Sequence, residues 1–202
     1  MKTTLIIISL LLVAGVIFLA SDIKDAYKVL PIGTPDINPD QPFDFTAWKD
    51  FSAKADKFKN KFPSTPQYAV DSVAIPGTDK KRLYEMYVAE KLDGAVFMVS
   101  IVSYPADFST NNSQQMLHDA VDEMMQTKPN NRLKSIEDTQ FQGYPAVDFN
   151  ITKDDFNVKG KGVIVDKMLY LLTYVQKAAD FNEAEYQHFF NEFHLPKQTA
   201  KK

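Results

Sequence analysis

The spacing of hydrophobic and polar positions changes along the chain, and each change marks an element. Leu5 to Ala20 is an unbroken apolar run with nothing more polar than Ser9 inside it. A helix formed there is apolar all round and has no polar face to turn to water, so it suits a bilayer better than the surface of a domain. Residues 21–44 show no period. Their last part, through LPIGTPDINPDQPFDF, carries four prolines and three aspartates, and proline fixes φ and pushes the preceding residue extended. This reads as a semi-rigid spacer. Around Phe45 and Trp48 aromatic residues return and a domain begins, taken here as 45–196, with 197–202 a short basic tail.

Inside the domain the period is mostly two. Lys57 to Phe62 alternates, with Phe58 and Phe62 on one side and Lys57, Lys59 and Lys61 on the other. Tyr68–Ile75, Leu83–Ala89 and Ala95–Tyr104 read as the next strands. The last of these, AVFMVSIVSY, is the most apolar and belongs in the middle of a sheet. The period then shifts. Met116, Leu117, Ala120, Val121, Met124 and Met125 make one helical stripe in a helix that Ser113 can cap. Strands resume over Arg132–Phe141, Tyr144–Ile151, Phe156–Val165 and Met168–Val175. The final one is apolar on both faces and so is also interior. A last helix starts at Asp180, where Asp180 and Glu183 have capping-box spacing. Its Tyr186, Phe189, Phe190 and Phe193 form an aromatic stripe facing the sheet. About eight strands joined by short turns must be antiparallel neighbours. Two helices among so many strands predict an α+β fold, an antiparallel sheet of about seven to eight strands flanked by helices, plus the N-terminal hydrophobic helix.

Charge decides the compartment. Lys2 precedes the apolar run, and Asp22, Lys24, Asp25 and Lys28 after it cancel, so the positive side stays in the cytoplasm and the domain is outside it. A cleaved signal peptide wants small residues at the cut, but Phe18, Leu19 or Lys24 fall at −3 of the candidate sites. The run is near the lower limit of about 17 residues for a span once Thr3 and Thr4 are counted. An uncleaved anchor is therefore expected, with secretion after cleavage as the alternative. The domain would be periplasmic or on the cell surface.

Composition removes several classes of function. The net charge of −3 gives no basic field for nucleic acid. With no cysteine there is no disulfide framework, lipidated cysteine, thiol nucleophile or thiolate metal site. His118, His188 and His194 are the only histidines, and no two have the i, i+3 or i, i+4 spacing of a helical metal pair. His118 and His188 are expected to be solvated. No hydrolase elbow or phosphate loop is present. Gly160 and Gly162 lie in a strand and mark a bulge or a close backbone approach. Asp122-Glu123 and Asp154-Asp155 read as solvated charge. No catalytic, metal-binding or cofactor-binding residue is assigned, and no cofactor is expected. Lys57, Lys59 and Lys61 could touch acidic lipid headgroups or an acidic partner; the alternative is an edge strand guarded by lysines. The methionine-rich stripe could likewise be an adaptable binding surface, but core packing is the better reading.

The order of these signals resembles a known group. Trp48 precedes Phe58, Phe62-Pro63 and Pro66; a strand closes in Tyr104-Pro105 and leads to the methionine-rich helix. GYPAVDF follows from Gly143 to Phe149, then LYLL from Leu169 to Leu172, then NEFHL from Asn191 to Leu195. The pattern resembles exported bacterial proteins of unknown function with the PsbP-like fold, over about Ala47 to Leu195. That fold is shared by a photosystem II extrinsic subunit and a Ran-binding transport factor. The resemblance implies an antiparallel sheet between helices and a binding or assembly role, and it brings no catalytic residues. The expected function is a membrane-tethered, extracytoplasmic, non-enzymatic module for a protein or envelope component, with the membrane met through residues 5–20. The alternative is an enzyme or small-ligand binder with a site in a sheet-helix groove.

Overall fold

The computed structural model describes residues 45–196 apart from Pro76 and Lys128. The apolar run over 5–20, the spacer over 21–44 and the tail over 197–202 lie outside the described residues. No helix among the described residues is long and apolar enough to cross a membrane.

Among the described residues nine strands and two α-helices follow one another. Strands β1 (Lys49–Ser52) and β2 (Lys59–Phe62) form a small antiparallel pair. Strands β3 (Gln67–Ala74), β4 (Lys81–Glu90), β5 (Val96–Ser103), β6 (Asn131–Phe141), β7 (Tyr144–Lys153), β8 (Phe156–Val165) and β9 (Met168–Lys177) form one sheet. Its order is β3-β4-β5-β9-β8-β7-β6, antiparallel throughout. Helix α1 (Ser113–Gln126) lies between β5 and β6 in sequence, and α2 (Glu183–Asn191) follows β9. The architecture is α+β, as the strand-rich pattern required. The two segments without a polar face, β5 and β9, are paired at the centre of the sheet.

The sheet has two unlike faces, set by strand parity. On the aromatic face Tyr87, Phe97, Tyr170 and Tyr174 meet Phe58 and Phe62 from the β1–β2 pair and Phe189, Phe190 and Phe193 from the C-terminal segment. Ring pairs such as Phe97–Phe189 at 5.3 Å and Phe58–Phe193 at 5.3 Å knit this layer. On the aliphatic face Val96, Met98, Val102, Val147, Ile164 and Val175 meet Leu117, Val121 and Met124 of α1. Two glycines let that layer close. A Cβ at Gly160 would stand 2.1 Å from Phe149 Cζ, and one at Gly162 would stand 3.0 Å from Leu117 Cδ2. Both sit where a side chain must lie directly over the backbone.

The C-terminal segment is tied back to the start of the domain. Lys59 and His194 exchange backbone hydrogen bonds of 2.9 and 2.8 Å. Gln142, in the β6–β7 turn, donates to the Phe193 carbonyl at 2.7 Å and accepts from the Leu195 N–H at 3.1 Å. Gln142 and Gly143 both have positive φ, 50° and 85°, as a two-residue hairpin turn requires.

The boundaries differ from expectation in four places. The strand read over Lys57–Phe62 is only Lys59–Phe62, because a short 3₁₀ turn over Lys54–Asp56 delivers Lys57 in a helical conformation. Strand β1, with one apolar residue in four, carries no alternation to announce it. Ser113 is the first residue of α1 rather than its cap, and its hydroxyl donates to the Thr110 carbonyl at 2.9 Å. The last helix starts later than Asp180. Ala178–Asp180 is a 3₁₀ turn, and Asn182 caps α2 by accepting from the Glu185 N–H at 3.1 Å.

Candidate functional site

An α-helix of 14 residues is about 21 Å long and about 10 Å wide. Seven strands span about 29 Å between edge strands. One helix cannot cover that face. Helix α1 packs on β6, β7 and β8, so the aliphatic face is left incompletely covered toward β3 and β4, while Val96, Met98 and Val102 of β5 stay buried. The consequence shows in β4. Its aromatic-face residues Glu85, Tyr87 and Ala89 are buried, while Arg82, Tyr84, Met86 and Val88 on the other face are half-buried.

Between α1 and this flank lies a cavity of about 250 Å³. Its floor is Val102, Leu169 and Leu171, its helix wall is Met116, Ala120 and Met124, and its outer wall is Val73 and Ile75. Polar groups gather at the rim. Arg82 Nη2 donates to Glu123 Oε1 at 2.8 Å, bridging β4 to α1. The guanidinium also lies 5.0 Å from the Tyr84 ring centroid. Tyr104 stacks on Phe108 at 4.6 Å, and both line the cavity. Burial pushes the Tyr84 phenol up, with Arg82 opposing, and burial does the same to Tyr104. Both phenols therefore stay protonated near neutral pH and act as hydrogen-bond donors rather than bases.

The other face has an uncovered flank too, over β6, β7 and β8, and its chemistry is opposite. Lys159, Lys161, Asp148 and Asn150 stand there. Lys161 pairs with Asp148, and Lys159 donates to Glu183 Oε2 at 2.7 Å. The Lys159 ammonium lies 5.0 Å from the ring centroids of both Phe181 and Tyr186. The two lysines of that flank are each paired with a carboxylate.

The residues singled out from the sequence fall as follows. Lys57, Lys59 and Lys61 do not form one strip. Lys57 pairs with the buried Glu85, which also accepts from the Tyr68 hydroxyl at 3.1 Å. Lys61 pairs with Glu192 at 3.3 Å, and Lys59 is exposed beside His194. His118 is not simply solvated: its Nε2 is 2.6 Å from Asp138 Oδ1, an atom that Gln114 also approaches at 2.6 Å. His188 stacks on Phe45 at 4.0 Å and meets the edge of Trp48 at 4.9 Å, and burial lowers its pKa. Among the described residues no group of three His, Asp or Glu side chains is placed to hold a metal ion. Glu123, read as solvated, is half of the rim ion pair. The cavity itself had one sequence signal, namely Arg82, one of only two arginines in the chain, alternating with Tyr84, Met86 and Val88.

No family model matches the chain, and no curated protein does. Solved structures do. The chain is similar to a Pseudomonas aeruginosa protein of unknown function, with 12% identity, 69% of this chain and 90% of that one covered, and TM-score 0.41. It is also similar to the cyanobacterial PsbP of Synechocystis, with 12% identity, 82% and 99% covered, and TM-score 0.45. A third neighbour is a crystal structure from Bacteroides thetaiotaomicron, with 10% identity, 76% and 50% covered, and TM-score 0.39. The PsbP-like resemblance expected from the sequence is thus met by a PsbP among the structural neighbours. The α+β fold itself stands on the strand order and layers described above.

Proposed function

We propose that the chain is a membrane-tethered, extracytoplasmic binding module without enzymatic activity, and that its groove between α1 and β3–β5 receives an apolar group of a protein or envelope component. The observation that carries the reading is the contrast between the uncovered flanks. On one, the lysines are paired with carboxylates. The other leaves Tyr84, Met86, Val88 and the cavity-lining Met116 partly open. An open apolar surface rimmed by polar groups is the usual mark of an interaction site. The cavity is smaller than the roughly 300–1,000 Å³ of pockets that enclose a drug-sized ligand, so one large side chain or a comparable group suits it. The rim offers donors, an internally neutralised ion pair and flexible thioethers, a combination suited to holding a ligand rather than transforming one.

The test uses the full chain in its own cells. A photo-crosslinking amino acid at Met116 should give a discrete adduct that disappears when Ala120→Trp fills the groove, while the same probe at Lys161 gives none. Equal adducts from both positions would show non-specific capture and remove the groove from the reading. The tether is tested separately. The native protein should keep Met1 and stay with the membrane after an alkaline wash. A mature start near residue 21 would mean secretion.

A further inference from the structure

The two edges of the large sheet are not protected alike. Strand β6 carries Arg132, Lys134, Glu137 and Asp138 and is broken by a bulge between Leu133 and Ser135, the usual devices against edge pairing. Strand β3, QYAVDSVA, has one charge, no proline and no bulge over eight residues. It pairs only with β4 among the described strands, and the Lys54 ammonium lies 4.1 Å from the centroid of its Tyr68 ring. Of the five large apolar side chains most exposed among the described residues, Tyr68, Val70 and Leu83 lie on β3 and β4, with Val70 at 53%.

The phase of its hydrogen bonds can be read. Ile75 N–H donates to the Lys80 carbonyl at 2.8 Å, and these two residues continue the β3–β4 register. Backbone groups alternate sides along a strand. Residues 69, 71, 73 and 75 therefore bond toward β4, and Tyr68, Val70, Ser72 and Ala74 present theirs to the open edge. One outward donor has a local partner: Ser72 N–H is held by the Asp71 carboxylate at 2.7 Å.

We propose that β3 is a strand-docking edge for an extended segment of a partner protein, one that carries a basic residue opposite Asp71 and, two residues away, a large apolar residue opposite Val73 that enters the groove. This rests on the groove reading above and names its occupant. The two-residue spacing follows from strand parity: Asp71 and Val73 share the aliphatic face, so side chains that meet them on an added strand are also two apart. The basic residue follows from charge. Glu123 and Asp107 on this side are already paired with Arg82 and Lys80, whereas Asp71 holds only the Ser72 N–H and is in no ion pair among the described residues. A cation there also draws Asp71 off the Ser72 N–H and frees that donor for the incoming strand. A second copy of the chain is disfavoured by the same charge, because pairing β3 with β3 brings a second Asp71 to this edge rather than a cation. Main-chain bonds would supply affinity, and the groove and Asp71 would supply selectivity.

The probe is a fluorescent peptide, acetyl-Thr-Phe-Val-Lys-Val-Phe-Thr-amide, symmetric so that either strand direction presents the spacing, titrated against the full chain in mild detergent. Saturable binding is expected, at least 10-fold tighter than for the same peptide with glutamate in place of lysine. Val70→Pro removes an outward N–H without touching the β4 ladder and should weaken binding at least 10-fold with thermal unfolding unchanged. Asp71→Lys should reverse the preference between the two peptides and provides a second readout if Val70→Pro disturbs the fold. The proposal falls if no saturable binding occurs, if the two peptides bind alike, or if well-folded Val70→Pro binds as the parent does. Concentration-dependent dimers that Val70→Pro abolishes would make a second copy the occupant. Binding seen only after residues 21–44 are excised would make the chain's own spacer the occupant. If Ala120→Trp abolishes the crosslinked adduct while Val70→Pro leaves it intact, the groove reading survives and strand docking does not.

Discussion

The aromatic and aliphatic faces of the sheet solve one problem in two ways. Each is wider than the elements available to cover it. On the aromatic face the β1–β2 pair and α2 cover the central strands, and the remainder over β6–β8 is written in lysine, aspartate and asparagine. On the aliphatic face α1 covers β6–β8, and the remainder toward β3 and β4 is written in tyrosine, methionine and valine. A half-covered sheet does not demand a partner in itself. It demands one where its uncovered residues stay apolar: beside the groove on the aliphatic face, and at Tyr68, Val70 and Leu83 along the β3–β4 edge of the aromatic face.

The largest effect expected from breaking the contrast lies in the aromatic layer. Phe193 is fully buried and touches the rings of Phe58, Tyr170 and Phe141. Phe193→Ala should cost about 3–5 kcal/mol in urea unfolding. A smaller effect separates the layers directly. Ala89 is buried in the closed face, and Ala89→Trp should lose about 3 kcal/mol by overpacking. Ala120 is also buried but borders the cavity, which can take up part of the added ring, so Ala120→Trp should cost less, about 1 kcal/mol. Similar losses for both tryptophans would mean that the groove is not open space, which parallel thermal melts would reveal. Next comes the cap of α2: Asn182→Ala should cost about 1 kcal/mol, and Asn182→Asp should restore most of it.

The smallest effect is one of pH. Burial among Phe45 and Trp48 holds His188 below its ordinary pKa, with Glu192 opposing and Lys61 adding to the shift. On acidification the unfolded chain takes up this proton first. Stability from this group is therefore complete above the unfolded value near 6.5. It falls as the pH drops below that value and levels off beneath the folded one. His188→Gln should flatten this part of the stability–pH curve, measured against the parent from neutral pH downward.

Much of the architecture was legible because long strands advertise their environment. The two-sided apolar character of β5 and β9 placed them at the centre, and Phe189, Phe190 and Phe193 showed the sheet-facing side of the last helix. Elements shorter than a period did not announce themselves: β1 has four residues and one phenylalanine. The cap of α2 was misplaced by two residues because Asp180 and Asn182 are both good caps, and the 3₁₀ turn that chooses between them depends on packing. The groove was less legible still. Periodicity identifies the buried stripe of α1 but not which strands it lies on, and only that choice leaves Tyr84 beside a cavity. His188 looked solvated because its helix neighbours are polar; the rings that enclose it come from residues more than a hundred positions away.

The paired backbone bonds between Lys59 and His194 have a mechanical meaning. They place both ends of the domain at one site, with Phe45 and Trp48 resting on α2 beside them. A pull on the chain from the side of residue 45 reaches β1 at Lys49, opposite Phe62. Load there opens a two-stranded ladder one rung at a time and then strips the cover from the aromatic layer. It reaches the β5–β9 centre last, because no rung of the large sheet lies in its path. The groove sits on the far side of that sheet from the β1–β2 pair, so a fastened domain can be tugged at its root while the cavity offered to a partner keeps its shape.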